Sequence, residues 1–170
     1  PLASGVLPVA FGEATKIIPL VMEGPKTYEF TVQWGEERST DDAEGVVTGR
    51  SSCRPKEADI EAITGEFSGE IEQTPPKFSA IKVNGQRAYA LARAGVNLEL
   101  KARPVVIHKL DLLEVSGLES ATFRVVCGKG TYIRSLARDI ARGLGTLGYV
   151  SRLDRTQTGP FDKTHTISLD

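Results

Sequence analysis

Between Gly128 and Arg134 the chain reads GKGTYIR, a glycine-rich turn that delivers a helix N-terminus, and the chemistry offered there is anion binding. It is not a nucleotide-binding loop, because the G-x-x-x-x-G-K-[ST] spacing is absent. Arg134 stands in the first helical turn, where the helix dipole disfavours a cation, so it calls for a partner carboxylate or phosphate. Tyr132 in the same turn reads, on its own, as a packed aromatic. Arg138 and Arg142 follow at i+4 and i+8, which predicts a row of guanidinium groups on an exposed face. A second group of interest is KTYEF, Lys26 to Phe30. Tyr28 there is either one more core ring or a residue that uses its hydroxyl and its π-face together. Lys26 points to the same side and is expected to be exposed, within reach of a phosphate. A third is the stretch from Pro76 to Arg103, which carries Lys77, Lys82, Arg87, Arg93, Lys101 and Arg103 against the single acid Glu99. Interleaved with Phe78 and Tyr89, these cations form either an RNA-contacting footprint or a solvated loop with a short helix.

Other chemistries find less support. Cys53 and Cys127 are far apart, with only His108 and His165 as possible nitrogen ligands, so neither a zinc site nor a disulfide framework is indicated. The 170 residues are 40% hydrophobic and 25% charged, enough for one domain with a sizeable core. No apolar run approaches the ~18 residues of a membrane helix. The net charge of -1 is unevenly spread: residues 1–72 hold 6 Lys+Arg against 14 Asp+Glu, whereas 73–170 hold 15 against 8. A chain so divided presents one basic face to a polyanion, or simply two solvated surfaces that differ.

The elements that must position these groups follow from periodicity. Residues 12–22 carry a helical stripe of Ala14, Ile17, Ile18 and Val21, with Pro19 near an end or a kink. Residues 27–34 alternate Tyr28, Phe30, Val32 and Trp34 against Thr27, Glu29, Thr31 and Gln33, a half-buried strand. Residues 36–45 read as a loop, 55–64 as a short helix with Ile60 and Ile63 inward, and 73–77 as an extended connector around Pro75-Pro76. A short strand over 79–83 closes at Asn84-Gly85, and a brief helix over 88–94 stops at Gly95. Residues 105–115 and 121–127 form an antiparallel pair. Thr131 is the expected N-cap of a helix running to Leu144, with Ile133, Leu136, Ala137, Ile140 and Leu144 inward. Residues 149–156 are the last clear strand. The sum predicts an α+β fold, a mixed and largely antiparallel sheet flanked by helices.

Four blocks resemble, in order, the bacterial tRNA pseudouridine(55) synthase family: PLASGVLPVAFGEATK at the start, KTYEF, QTPPKFSAIKVNGQRAYALARAG from Gln73 to Gly95, and CGKGTYIRSLARDI from Cys127 to Ile140. LDRTQTGPF at Leu153 to Phe161 resembles it more loosely. The family pattern G-H-x-G-T-L-D-P-L-A-S/T-G-V-L-P places its catalytic aspartate immediately before Pro1, so the nucleophile is expected outside this sequence and the chain as given is expected to be inactive. A start at proline, with the one methionine at Met22, fits a fragment or processed product, and a C-terminal RNA-binding domain is expected to be absent or truncated. The resemblance implies a pseudouridine synthase catalytic domain over 1–170 acting on the T arm of tRNA in the cytoplasm, without cofactor, metal or obligate protein partner. It implies that Arg134 orients the catalytic carboxylate, Tyr28 stacks on the uracil, and Tyr132 shapes the pocket. Residues 77–103 become a thumb-like RNA-contacting insertion, with Lys77, Lys82, Arg87 and Arg93, together with Lys129, as RNA-binding residues. Two alternatives stay open: a non-catalytic tRNA-binding or RNA-remodelling module, and a relative that works with guide RNA, although the compact SAIKVNGQRAYALARAG segment looks more like the stand-alone bacterial form.

Overall fold

Period-two alternation produces strands here wherever it is strong, and the sheet they form is the frame of the molecule. A computed structural model describes residues 2–83, 85–96 and 98–167. In chain order the strands are β1 (Ala3–Gly5), β2 (Lys26–Trp34), β3 (Glu36–Arg38), β4 (Val47–Arg50), β5 (Gly69–Gln73), β6 (Lys82–Val83), β7 (Gln86–Arg87), β8 (Arg103–Ser116), β9 (Ser120–Cys127), β10 (Gly148–Thr158) and β11 (Phe161–Asp162). The α-helices are α1 (Ile18–Glu23), α2 (Glu57–Ile63), α3 (Ala88–Arg93) and α4 (Ile133–Gly143). The main sheet runs β1-β10-β2-β9-β8-β5, with β11 paired to β10. Every pairing is antiparallel except that of β1 with β10. The mixed, largely antiparallel sheet flanked by helices is therefore as expected.

β2 is central, and its Phe30, Val32 and Trp34 are buried against Phe123 and Val125 of β9. Phe30 and Phe123 stack with centroids 5.4 Å apart, a geometry that adds to the area both rings bury. α4 lays Ile133, Leu136, Ala137, Ile140 and Ala141 on this sheet, and α2 adds Ile60 and Ile63. Glycine lets the helix approach the sheet: a Cβ on Gly148 would lie 2.8 Å from the Ala141 Cβ and 3.0 Å from Val32 Cγ1. α4 ends where Gly145, at φ 71°, turns the chain back toward β10.

Several local expectations are corrected. The stripe over 12–22 does not make one helix: a 3₁₀ segment Gly12–Lys16 is followed by α1, with Pro19 in its first turn, and neither element contains a buried residue. Pro19 has no N–H to donate, so it opens a helix rather than continuing one. The loop over 36–45 is partly a ribbon, β3 paired with β4. β5 is an edge strand concealed by its glycine and glutamates. The strand over 79–83 shrinks to β6, paired with β7, and Asn84 of the turn lies outside the described residues. Thr131 does not cap α4; its hydroxyl donates to Gly128 O at 3.0 Å, and the N-cap residue is Tyr132.

Candidate active site

Strand register places Tyr28 near the end of the main sheet from which the turn into Tyr132 and Arg134 departs. Tyr28 of β2 faces Val125 of β9 on one side and Arg155 of β10 on the other. β9 ends at Cys127, and the GKGT turn leads straight into Tyr132 and α4. Gln73, at the end of β5, is 1% exposed and its Oε1 accepts the Tyr132 N–H at 2.8 Å, fixing the start of α4. The Arg103 guanidinium lies 5.5 Å over the Tyr132 ring, a cation–π contact. Burial raises the pKa of Tyr28, while Arg155 pulls it down. No hydrogen bond or ring contact joins Tyr28 to Tyr132 or Arg134 among the described residues.

Lys26 is not the exposed cation expected. It is buried, with its Nζ bonded to the carbonyls of Met22 and Gly24, and its pKa is lowered by that burial. It ties the α1–β2 connection together instead of facing a phosphate. Cys127 beside it is buried and pushed up to about 11, so it is an inert thiol at neutral pH.

Of the arginine row on α4 only Arg142 is exposed as expected, whereas Arg138 is buried and Arg134 partly so. Each guanidinium meets an acid of the segment around β3. Arg134 Nη1 donates to Thr40 O at 2.9 Å and Asp42 Oδ2 at 3.2 Å, and its Nη2 donates to Phe78 O at 2.9 Å. Arg138, 9% exposed, donates to Asp41 Oδ2 at 2.9 Å, Asp139 Oδ1 at 2.9 Å and Thr74 O at 2.8 Å. Arg142 Nη2 reaches Glu37 Oε2 at 2.6 Å. Burial pushes the Asp41 carboxyl up against the pull of Arg138, whose guanidinium stays charged.

The acidic segment is itself pinned. Asp41 adopts φ 60°, a left-handed conformation that Asp tolerates better than most residues. Asp42 Oδ1 accepts from Thr40 Oγ1 at 2.5 Å and Glu44 N at 3.0 Å, an Asx turn that leaves Oδ2 for Arg134. Val150 of β10 anchors the turn by accepting from Ala43 N at 3.0 Å and donating to Asp41 O at 3.1 Å. Arg134 is thus anchored to two backbone carbonyls and one carboxylate, all on segments far away in sequence.

At the other edge, β1 is fastened along β10. Ser4 Oγ donates to Asp154 Oδ1 at 3.3 Å, and the buried Asp154 also takes Lys163 Nζ at 2.5 Å. Val6 bonds to Arg155 through both of its backbone groups.

Lys77, Lys82, Arg87, Arg93 and Lys129 are all exposed, and none of the five is in an ion pair among the described residues. Arg93 lies 5.7 Å over the Tyr89 ring. The structure shows no contact that brings the five onto Tyr28 or Arg134. No group of three His, Cys, Asp or Glu fit to hold a metal occurs among the described residues. No described helix is long and apolar enough to cross a membrane. Asp41, Asp42, Gln73 and Arg155 were not singled out by the sequence reading. The signals on offer were the acidic doublet, the place of Gln73 at the head of QTPPKFSAIKVNGQRAYALARAG, and that of Arg155 within LDRTQTGPF.

Comparison with known proteins gives one consistent picture. Residues 1–133 match the family described as TruB family pseudouridylate synthase (N terminal domain). The chain is 52% identical over 169 residues to the tRNA pseudouridine synthase B of Brucella anthropi, covering 99% of this chain and 52% of that protein. It is 55% identical over 170 residues to that of Bradyrhizobium diazoefficiens, covering 100% and 49%. The chain therefore spans about half the length of the curated relatives it matches. Among solved structures, the crystal structure of a Cbf5-Nop10-Gar1 complex superposes with TM-score 0.68 at 30% identity, over 95% of this chain and 38% of the other. An H/ACA RNP bound to a substrate RNA containing 2'-deoxyuridine superposes with TM-score 0.65 at 27% identity, over 95% and 37%.

Proposed function

We infer, from the premise that this chain belongs to the TruB family of pseudouridylate synthases, that it forms the uracil-isomerising site of an enzyme that converts uridine 55 in the T loop of tRNA to pseudouridine. The observation that carries the reading is the state of Arg134. A guanidinium has five N–H donors. Three of them meet Thr40, Asp42 and Phe78, so Nε–H and one Nη2–H are without an acceptor among the described residues. Two donors on a guanidinium held still from behind suit a further carboxylate. By the family pattern that carboxylate is an aspartate adjoining Pro1, on the segment that β1 continues.

The reaction exchanges bonds within one nucleotide. The N1–C1′ glycosidic bond breaks, the uracil turns, a C5–C1′ bond forms, and the C5 proton is lost while N1 gains one. The balance involves no oxidation, so an ionised carboxylate, a guanidinium to orient it and a ring beside the base are a sufficient apparatus without a cofactor. Tyr28, half-buried at the sheet end, is that ring, and Tyr132 closes the pocket from the α4 side. The base must leave its stack to arrive there, at a cost of about a few kcal/mol that stacking and phosphate contacts offset. The phosphate contacts come from residues 77–103 and Lys129 on the T arm. The enzyme acts in the cytoplasm without an obligate protein partner.

The test is release of tritium from tRNA carrying tritiated C5 in its uridines, with the full-length protein. Release that disappears when uridine 55 is replaced by cytidine is the expected result. Tight tRNA binding with no release would overturn the reading in favour of a non-catalytic RNA module.

A further inference from the structure

Three strands converge on Arg155. Its backbone carbonyl accepts the Val6 N–H at 2.8 Å, and its Nε donates to Val6 O at 2.7 Å. One residue thus holds both backbone groups of the residue just past β1. The approach is close: a Cβ on Gly5, at φ 98°, would lie 2.3 Å from Arg155 O and 2.4 Å from Asp154 Oδ1. Only glycine admits that contact. On its other side Arg155 is the register partner of Tyr28. With Nε committed to Val6, the two Nη groups have no acceptor among the described residues, and the Arg155 charge acts on the phenol of its register partner Tyr28. The ionisable groups acting on that phenol are Arg155, which favours phenolate, and Cys127, whose thiolate form opposes it, with burial the larger influence.

We propose that Arg155 is a positioning residue: a single side chain sets both the strand that leads away from the nucleophile's end of the chain and the ring of Tyr28. This rests on the functional reading above. Arginine suits the task because its planar guanidinium spreads donors over three nitrogens in a fixed fork, whereas the donors of a lysine ammonium all radiate from one nitrogen on a flexible stem. Val6 and Tyr28 belong to segments on opposite sides of β10 with Arg155 between them, so losing this side chain removes the one group that acts on both. In a reaction that depends on a carboxylate and a base held at reacting distance, that loss lowers the chemical step rather than substrate binding.

The experiment uses the full-length protein with Arg155→Lys and Arg155→Met, measuring kcat and KM by tritium release from tRNA. The ionisation of Tyr28 is followed by NMR of ¹³Cζ-tyrosine, with the resonance assigned through Tyr28→Phe. The expected result is a fall in kcat of about 100-fold in both variants with KM within about threefold, lysine failing to rescue. The Tyr28 midpoint should move upward in Arg155→Met, a signature that a purely structural residue would not produce. Turnover within about threefold of wild type would overturn the proposal, since positioning losses are far larger. A rise in KM at constant kcat would overturn it too, making Arg155 a phosphate contact, as would an unmoved Tyr28 midpoint. If wild-type protein releases no tritium the functional reading itself falls, whereas active wild type with equally active variants removes only Arg155.

Discussion

Replacing Asp41 by asparagine removes one charge from the buried centre of the α4 arginine row while sparing the backbone, since asparagine also tolerates φ near 60°. Arg138 Nη1 meets Asp41 Oδ2 at 2.9 Å, and each side chain is only 11% exposed. At an effective dielectric of about 20 this separation corresponds to about 6 kcal/mol of gross attraction. Three things reduce the net loss. The asparagine carbonyl still accepts a hydrogen bond, Asp139 and Thr74 keep their bonds to the guanidinium, and the burial of Asp41, evident in its raised pKa, already opposes its ionised form. The expected destabilisation is about 1.5 kcal/mol at pH 7. Arg138→Met should cost more, about 3 kcal/mol, because it leaves Asp41 buried without its cation. The sign of its pH dependence follows from linkage. A carboxyl whose folded pKa lies above the unfolded value is bound more tightly to its proton in the fold, so the Arg138→Met deficit shrinks as pH falls through that folded pKa. Urea denaturation of the full-length protein, with both single variants and the double variant, gives the coupling energy directly. An Asp41→Asn variant within about 0.5 kcal/mol of wild type, or a deficit of Arg138→Met that grows on acidification, would refute the reasoning.

Gly148→Ala should lose about 2 kcal/mol by overpacking, because the new methyl meets Ala141 and Val32 at the α4–β10 contact; equilibrium denaturation checks it. Asp162, whose carboxyl is held down to about 2 chiefly by Thr164 and then by His165, should titrate there by NMR. Its folded pKa lies below the unfolded value, so whatever stability it lends is complete above about pH 4 and lost as pH falls toward 2. Substituting Lys82, Arg87 and Arg93 together by alanine should weaken tRNA binding and flatten its salt dependence by up to about three phosphate contacts, with thermal stability nearly unchanged. Wild-type affinity at two salt concentrations would show that these exposed cations do not meet RNA.

Where burial is one-sided and continuous, the sequence was easy to read. β2, the β8–β9 pair and the inward stripe of α4 repeat at 2 or 3.6 residues because one face of each meets the core. β5 escaped because GEIEQ is an edge strand whose acidic side chains face solvent, and β3–β4 because a two-stranded ribbon outside the main sheet needs no apolar alternation. Tyr28, Tyr132 and Arg134 stood out by type and local context. The residues that hold them did not, because their roles depend on pairings across the chain: Asp42 reaches Arg134 over 92 positions and Gln73 reaches Tyr132 over 59. Lys26 misled for a related reason, since its partners are main-chain carbonyls, which carry no side-chain signature.

The pairing of Arg134, Arg138 and Arg142 with Asp42, Asp41 and Glu37 constrains how such a sequence can drift. The three contacts are unequal in what they tolerate. Arg142 and Glu37 are partly exposed, and either can change alone at little cost. Arg138 and Asp41 are buried, so losing either alone passes through a less stable intermediate, the more so when Arg138 goes first. Arg134 and Asp42 adjoin the proposed chemistry, where even the paired exchange would be visible to selection. If Arg134 serves the proposed chemistry, one helix face should carry three grades of evolutionary freedom, free, coupled and fixed, ordered from the C-terminal end of α4 toward its N-terminus.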